Sequence, residues 1–339
     1  MKRNLIVLAI VVLAASLFLA GCRGESKLTM VGKSKVTSVA LPPTANHLIF
    51  SPTGTHFVFY QPANLNVATV SDLGGQMTRL PGLGGHGLVA WWDQGANHLA
   101  YYTQEDGLEP GAYAIMVYTV EDRASRQLPL TGEEVGSLFD LRPAFASADA
   151  VRFITPQGVW EWNIETGQRS QLRTYAFREG VRVAWDARAS KLAVAERLSE
   201  REQALTAIDP TGAVADQASL VKGYYIDSFA LSDDGSKLAA VYQPEWGKYR
   251  AVSIDLASGA VTELAASKEP MSAVAWADNQ TVSFIMERKT KNETQRLLVL
   301  ASGGQLRAVE MGGYTQYAWA DGKLALVKLG DVVDLFEIK

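Results

Sequence analysis

The feature that most constrains this chain is a unit of about 40 residues that recurs along it. In its clearest copy, residues 225–264, two short apolar segments flank Ser232-Asp233-Asp234-Gly235. Asp-Gly between such segments is a strong hairpin signal, because a tight turn needs positive φ angles. Two more short segments follow, with Ser258-Gly259 between them. The unit therefore predicts four antiparallel strands, which cannot bury their own faces and must stack on further copies.

Aligning the chain on this hairpin turn gives seven copies, and the third and fourth keep the apolar flanks without the Gly. The copies are residues 48–60, 89–102, 144–154, 183–194, 227–242, 274–285 and 317–327. Their spacing of about 40 to 53 residues suits the four-stranded antiparallel blades of a β-propeller. We therefore expect an all-β, seven-bladed β-propeller. Six blades remain the alternative, if the weak third copy is an insertion.

Both ends of the repeat array bear on how the ring closes. Residues 331–338 can supply a third strand for the seventh copy, which leaves that blade one strand short. Residues 27–40 read as a strand ahead of the first copy, so we expect them to close the ring as the outer strand of the last blade. Residues 191–205 have high helix propensity, but the repeat register predicts strand, loop and strand there, and propensity is the weaker signal.

The hairpin sequence resembles the repeat of TolB-like, WD-like bacterial β-propellers, which carry Trp-Ser-Pro-Asp-Gly-Lys before an apolar strand. The nearest matches are Phe50-Ser51-Pro52-Thr53-Gly54 and residues 231–238. The resemblance covers nearly all of the mature chain, although most copies are degenerate. It implies a propeller that serves most often as a scaffold for binding other proteins.

The N-terminus has the three zones of a secretory signal: Lys2 and Arg3, an apolar run over residues 5–20, and small residues before Cys22. Leu19-Ala20-Gly21-Cys22 resembles the lipobox of bacterial lipoproteins. The resemblance implies cleavage before Cys22 and a diacylglycerol on its sulfur. Cys22 is the only cysteine of the chain, so it has no disulfide partner within it. An uncleaved membrane anchor is the alternative, although the apolar run is slightly short for a span.

These features predict a signal peptide over residues 1–21, a short tether over 22–27 and a single propeller domain over 28–339. We expect the mature protein to be attached to the bacterial cell membrane by the lipid on Cys22 and to face an extracytoplasmic space. Arg23, where an Asp would signal inner-membrane retention, favours the outer membrane in a Gram-negative cell. Removing Lys2 and Arg3 leaves 30 basic and 36 acidic residues, a formal charge of −6, so nucleic acid is an unlikely partner.

The motifs that could carry chemistry have simpler interpretations. Residues 82–87 match a dinucleotide fingerprint but precede a predicted strand rather than a helix, so they are expected to connect two blades. His56 and His98 align with lysines at the start of second strands, a polar turn-exit position rather than a metal site. No Gly-x-Ser-x-Gly pentapeptide occurs. The tryptophans on first strands, which we expect to pack between blades, are Trp91, Trp92, Trp185, Trp276 and Trp319. We expect no enzymatic activity, cofactor or metal.

The loops between second and third strands are the predicted binding surface. Successive turns of an up-and-down blade alternate between its ends, so these loops emerge beside the blade-to-blade connections. They cover residues 103–112, 196–203, 243–250 and 287–296, and they are long and charged. The candidate partner-binding residues are Trp246, Lys248, Tyr249, Arg250, Arg288, Lys289, Lys291, Glu105, Asp106 and Arg201. Solvated loops without a partner are the alternative interpretation.

The sequence thus predicts a non-enzymatic scaffold that binds another protein of the cell envelope. The second hypothesis is a sensor or enzyme with a small-molecule site at the mouth of the central channel, because propellers host many functions. An exposed aromatic patch on the loop face would favour the scaffold. Convergent acids or histidines at the channel mouth would favour the second hypothesis.

Overall fold

The computed structural model of the protein describes residues 28–41, 43, 45–61, 64–69, 77–80, 90–104, 113–135, 142–290, 293–328 and 331–339. The predicted signal peptide, the tether and Cys22 lie outside these residues, and so do three loop candidates, Glu105, Asp106 and Lys291. Regular structure in the described part of the chain is almost all β-strand, apart from the short helix α1 (Gly132–Val135).

The described strands begin with β1 (Leu28–Met30) and β2 (Lys33–Ala40) and form seven sheets. Sheet 1 contains β3 (Asn46–Phe50), β4 (His56–Gln61), β5 (Asn64–Thr69) and β6 (Thr78–Arg79). Sheet 2 contains β7 (Ala90–Trp92), β8 (His98–Gln104), β9 (Tyr113–Thr119) and β10 (Ala124–Leu130). Sheet 3 contains β11 (Ala144–Ser147), β12 (Ala150–Thr155), β13 (Gly158–Asn163) and β14 (Arg169–Thr174).

The remaining sheets follow the same order. Sheet 4 contains β15 (Arg182–Trp185), β16 (Leu192–Ser199), β17 (Glu202–Ile208) and β18 (Gln217–Gly223). Sheet 5 contains β19 (Tyr225–Leu231), β20 (Lys237–Glu245), β21 (Lys248–Asp255) and β22 (Val261–Ser267). Sheet 6 contains β23 (Met271–Trp276), β24 (Val282–Lys289), β25 (Thr294–Ser302) and β26 (Gln305–Glu310), with β1 added at its edge. Sheet 7 contains β27 (Gln316–Ala320), β28 (Lys323–Lys328), β29 (Val332–Ile338) and β2.

The sheets contact one another in chain order and the last contacts the first. First strands touch between neighbouring sheets, as β3 with β7, β7 with β11, β15 with β19, β19 with β23, and β27 with β3. These first strands are therefore the innermost strands around a central axis. The third copy of the repeat, which has lost its Gly, forms sheet 3 with four strands of its own. The fold is an all-β propeller of four-stranded antiparallel blades, as the repeat pattern predicts.

The hydrophobic core is a set of layers between neighbouring sheets. One layer joins sheets 4 and 5, where Leu205 and Leu238 are fully buried. Another joins sheets 7 and 1 through residues that include Phe57 and Val333. Because each sheet buries both faces against its neighbours, the strands carry the near-continuous apolar runs seen in the repeats, and no single copy is stable alone.

The tryptophans on first strands pack between sheets, as expected. The indole Nε1 of Trp185 donates to the carbonyl oxygen of Arg142 at 2.8 Å, and that of Trp276 donates to Ala230 O at 2.9 Å. Trp319 donates to Ser283 Oγ in sheet 6 at 2.8 Å. Each bond crosses from one sheet to the preceding one, so these rings fix neighbouring blades as well as filling the space between them.

The N-terminal strand closes sheet 7, as predicted, but the structure divides the segment in two. Strand β2 pairs antiparallel with β29, in register Lys33 with Ile338 and Ala40 with Val332. Our expectation that residues 27–40 form one strand on the last blade was wrong for residues 28–30. Strand β1 instead pairs in parallel with β26 of sheet 6. The physical reason is burial, because the side chain of Leu28 packs against the core between sheets 5 and 6.

The segment with high helix propensity is a strand hairpin. Residues 192–199 form β16 and residues 202–208 form β17, as the repeat register predicts. Val194 and Leu205 are fully buried against neighbouring sheets. Tertiary burial therefore outweighs a helix preference that amounts to a few tenths of a kcal/mol per residue.

Candidate protein-binding face

The two ends of the ring differ in the kind of connection they carry. The turns between first and second strands and between third and fourth strands lie at one end, which we call the turn face. The turns between second and third strands, and the connections between sheets, lie at the other end, which we call the connector face. This follows from the antiparallel strand order of each sheet. The described loop candidates all belong to the connector face or to the strand ends beside it.

Among the residues that the structure describes, the hairpin between β20 and β21 presents the most exposed aromatic side chain on this face. Glu245 pairs with Lys248, so Trp246 and Gly247 form the turn, and Gly247 has a positive φ of 75°. The side chain of Gln243 accepts a hydrogen bond from the Gly247 amide at 3.1 Å. Lys248 Nζ lies 2.9 Å from Glu245 Oε2. These local contacts fix the turn, so the 78%-exposed Trp246 is held on a defined hairpin.

Two tyrosines lie beside this turn: Tyr224 in the connection between sheets 4 and 5, and Tyr225 at the start of β19. The ring centroid of Tyr224 lies 5.3 Å from that of Trp246, with the ring planes at 74°. Tyr225 follows and is 39% exposed. We call Tyr224, Tyr225 and Trp246 the aromatic platform. The edge-to-face contact supports the indole without covering it, and rigid exposed aromatic side chains are typical of interface hot spots.

The connection that carries the tyrosines packs closely on the hairpin. A Cβ at Gly223 would lie 2.5 Å from the backbone oxygen of Gln243 and 2.9 Å from the Tyr242 ring. Glycine therefore permits an approach that no other residue allows. As a result, the two segments that form the aromatic platform are held against each other.

Arg182, on the innermost strand of sheet 4, holds the base of the platform. Its guanidinium donates to Asp227 O at 2.8 Å and to the backbone oxygen of Ile226, and it lies over the Tyr225 ring at 5.5 Å. Gln203 accepts a further bond from it at 3.4 Å. The guanidinium thus links sheets 4 and 5, and its donors are engaged within the protein.

The structure assigns different environments to the other predicted partner-binding residues. Tyr249 is half-buried and packs against the core between sheets 5 and 6. Arg250 pairs with Glu263 at 3.4 Å, and both side chains are about half exposed. Arg201 is exposed in the turn between β16 and β17, and Arg288 and Lys289 are exposed at the end of β24. Lys248 and Arg250 therefore share the Trp246 hairpin as exposed side chains, and Arg201, Arg288 and Lys289 belong to neighbouring hairpins.

The sequence interpretation missed Tyr224, Tyr225 and Arg182. Repeat alignment starts at the apolar part of each first strand, so a connection between copies receives no register from it. The one available signal was the Gly223-Tyr224-Tyr225 sequence immediately before the best copy, where a glycine allows close approach and two amphipathic aromatics follow.

A cleft of about 480 Å³ opens beside the platform. It is lined by Glu179, Gly180, Arg182, Ala195, Arg197 and Gln203. Nearby, on the innermost strand of sheet 5, Asp227 accepts hydrogen bonds from Ser228 and from the amide of Ala273. Burial raises the pKa of Asp227 despite these bonds and the neighbouring Arg182. This carboxyl group lies near the cleft, which the carboxylic acid Glu179 also lines.

The described residues provide neither a metal cluster nor a spanning helix. Within them, no three His, Cys, Asp or Glu side chains are grouped so that they could hold a metal ion. His98, one of the two turn-exit histidines, contacts Asp93 at 3.1 Å. None of the described helices is long and apolar enough to cross a bilayer.

Comparisons with known proteins identify the fold. No protein-family model matches the chain, and no curated protein matches it in sequence. Among solved structures it is similar to TolB from Acinetobacter baumannii, with 15% identity and a TM-score of 0.48 over 91% of this chain. The chain spans 65% of the length of that protein.

It is also similar to the β-propeller domain of Cps50 (Swd1) from Myceliophteria thermophila. That match has 11% identity and a TM-score of 0.56, and it covers 88% of this chain and 99% of the other. At such identities the likeness concerns the fold alone. Together with the sheet order, it defines this chain as a member of the β-propeller class, an architecture compatible with protein binding.

Proposed function

We propose that this protein is a lipid-anchored, non-enzymatic, seven-bladed β-propeller that binds another protein of the cell envelope through its connector face. Seven sheets in circular contact support the blade number. The observation that carries the binding function is the aromatic platform, in which Trp246 is 78% exposed although its hairpin is fixed by internal contacts.

The energetics of such a side chain favour an interface role. An exposed indole leaves a large apolar surface in water, and burying it in a partner pocket would contribute about 2 kcal/mol or more. Because the turn is already ordered, binding would lose little backbone entropy. Lys248 and Glu245 at the base of the turn supply a polar rim around the apolar centre.

The membrane location in this proposal is supported by the sequence ahead of the ring. Cys22 follows Leu19-Ala20-Gly21, and five residues separate it from the first described strand. Replacing Cys22 with Ala should abolish incorporation of a palmitate analogue and release the protein from the membrane fraction. Retention of the lipid label by Cys22→Ala would contradict the anchor.

In-membrane crosslinking tests the binding function. The chain offers a matched control, because Val214 is also apolar and exposed, at 56%, but lies in a turn of sheet 4 on the turn face. We expect Trp246→Ala to lose a crosslinked species that both the unmodified protein and Val214→Ala retain. The captured protein should then bind the purified propeller and lose that affinity with Trp246→Ala.

Two results would contradict the platform as the binding site. One is an identical crosslinking pattern for Trp246→Ala and the unmodified protein. The other is an equal loss in Val214→Ala, which would indicate non-specific contact by any exposed apolar side chain. Thermal melting of each variant should stay unchanged, since neither side chain is buried.

The cleft beside Arg182 supports a second candidate, a small-molecule site at the channel mouth. Its volume falls in the range of ligand pockets, and Arg197 on its wall is exposed. Under this alternative, an anionic ligand should raise the melting temperature of the protein, and Arg197→Ala should remove that increase. A screen of small anions without such a shift would count against it.

A further inference from the structure

The first described strand fixes where the chain ahead of it joins the ring. Leu28 pairs with Leu306, the second residue of β26, and the two strands run in parallel. Strand β26 follows the turn at Gly303 and Gly304 and runs towards the connector face. Leu28 therefore lies at the outer edge of sheet 6, close to the turn face.

The strand pairings of sheet 6 also give the distance from Leu28 to the connector face. Leu306 pairs with Ala301 of β25, and Thr294, seven residues before Ala301, pairs with Lys289 at the connector end. At about 3.3 Å per residue this path is about 23 Å, and the β24–β25 loop extends beyond it. The six residue-to-residue steps from Cys22 to Leu28 reach at most about 22 Å when fully extended.

The geometry points to one orientation of the anchored protein: the turn-face edge of sheet 6 is next to the bilayer, and the connector face is turned away from it. This inference rests on the proposed lipid anchor at Cys22. An inverted ring would hold Leu28 farther from the lipid surface than the tether reaches. A ring tilted on its edge satisfies the tether, but one lying on its connector face does not.

Electrostatic attraction to the lipid does not produce this orientation. The turns between first and second strands of sheets 5, 6 and 7 carry Asp233, Asp234, Asp278 and Asp321, which are on the turn face. Anionic headgroups do not attract such a surface. The turn face is thus held near the bilayer by the tether and not by adsorption.

This orientation restricts the kind of partner that can reach the aromatic platform. Trp246 lies at the connector end of β20, about 25 Å or more from the turn face along a nine-residue strand. The partner is therefore a protein domain in the aqueous compartment with an apolar pocket for the indole. A protein embedded in the same bilayer would need a domain that rises above the ring.

Energy transfer to the lipid surface tests the orientation in the full, processed chain. Asn279 on the turn face and Lys289 at the connector end are exposed residues of the same sheet, separated by about 30 Å of strand. We would label Asn279→Cys and Lys289→Cys with a donor dye in vesicles that carry a headgroup acceptor. Transfer should be about twofold greater from position 279.

Equal transfer from the two positions, or greater transfer from position 289, would overturn the proposed orientation. The unmodified protein is the control for the anchor itself. Its sole cysteine should not react with the dye, because the lipid occupies the sulfur. Labelling of the unmodified protein, together with loss from the vesicles, would refute the anchor, and that result is distinct from a wrong orientation.

Discussion

Lys35 Nζ lies 2.8 Å from Oδ2 of Asp334, and this ion pair joins the N-terminal strand of the ring to its last strand. The Asp334 residue is only 2% exposed. Its carboxylate also accepts hydrogen bonds from the hydroxyl groups of Ser38 and Tyr314. One carboxylate therefore organises the contact on which ring closure depends.

Removing the charge of Asp334 should weaken the contact between β2 and β29 that closes the ring. In Asp334→Asn, the bond with Lys35 loses its ionic character and one of the two hydroxyl acceptors becomes a donor, so we expect a loss of about 2 kcal/mol in the free energy of unfolding. Asp331→Asn is the control, because Asp331 and its partner Lys328 are about half exposed and solvent screens such pairs, so they contribute little to stability. Urea denaturation measures the free energy of unfolding of both variants. Equal losses in the two variants would contradict the assignment.

The carboxylate of Asp334 also predicts that the stability of the protein depends on pH. Burial opposes its ionisation, but hydrogen bonds from Lys35, Ser38 and Tyr314 outweigh burial and lower the pKa of Asp334. Its contribution is therefore complete above the unfolded-state pKa, about 3.9, and is lost as the pH falls below that value. The stability difference between the unmodified protein and Asp334→Asn should be constant between about pH 7 and 5 and shrink below about pH 4. If the stability difference between the two proteins stays unchanged below about pH 4, the ionisation of Asp334 is not the source of that difference.

The stability contribution of Asp227 should depend on pH in the opposite direction. Burial raises the pKa of this carboxyl, so the folded protein prefers its protonated form, and the stability contribution is lost as the pH rises through the folded-state pKa. Asn cannot ionise, and its amide oxygen can accept the same bond from the Ala273 amide. We expect Asp227→Asn to be more stable than the unmodified protein at pH 7, with no advantage below about pH 4. Thermal melting at the two pH values tests this, and a destabilised variant at pH 7 would refute it.

Tryptophans with structural and binding roles should respond differently to a conservative change. Trp185 is 1% exposed and donates to Arg142 O, so Trp185→Phe removes a bond between sheets and leaves a void, at a cost of about 2–3 kcal/mol. Trp246→Phe should change stability by less than about 0.5 kcal/mol. Chemical denaturation gives the free energy of unfolding of each variant. An unchanged value for Trp185→Phe would argue against the packing role of Trp185.

Two glycines of sheet 5 form a matched pair for testing the platform. Gly247 and Gly259 have φ angles of 75° and 70°, and a Cβ added at either position would have no neighbouring atom within 4 Å. Replacing either with Ala should cost about 1–2 kcal/mol through backbone strain alone. Only Gly247→Ala should weaken partner crosslinking, because Gly259 is on the turn face. If both variants bind the partner equally well, the geometry of the Trp246 turn is not needed for recognition.

The repeat pattern carried most of the information about the fold. Apolar flanks at residues 144–154 were sufficient to predict β11 and β12, although the turn Gly is missing, because burial on both faces imposes a long-range register. The parallel pairing of β1 with β26 could not be predicted. Three residues show too little alternation to choose between two neighbouring edges, and the packing of the partly buried Leu28 against the core decides it.

The candidate site was only partly predictable. Trp246 followed from its place in a hairpin loop, which the repeat register defines. Its neighbour Tyr224 did not, because contact between them depends on how closely the connection at Gly223 approaches β20. The environment of Tyr249 shows the converse, since an aromatic residue predicted to face a partner is half-buried against the core.

The division of the N-terminal segment between two sheets has a mechanical consequence. Force applied to the chain ahead of Leu28 first meets β1, which is hydrogen-bonded along β26, and then β2, which is bonded along β29. A pull along these strands loads their hydrogen bonds together in shear instead of opening them one at a time. Two adjacent blades therefore share the load, and the ring can bear tension at the point where its first and last strands meet.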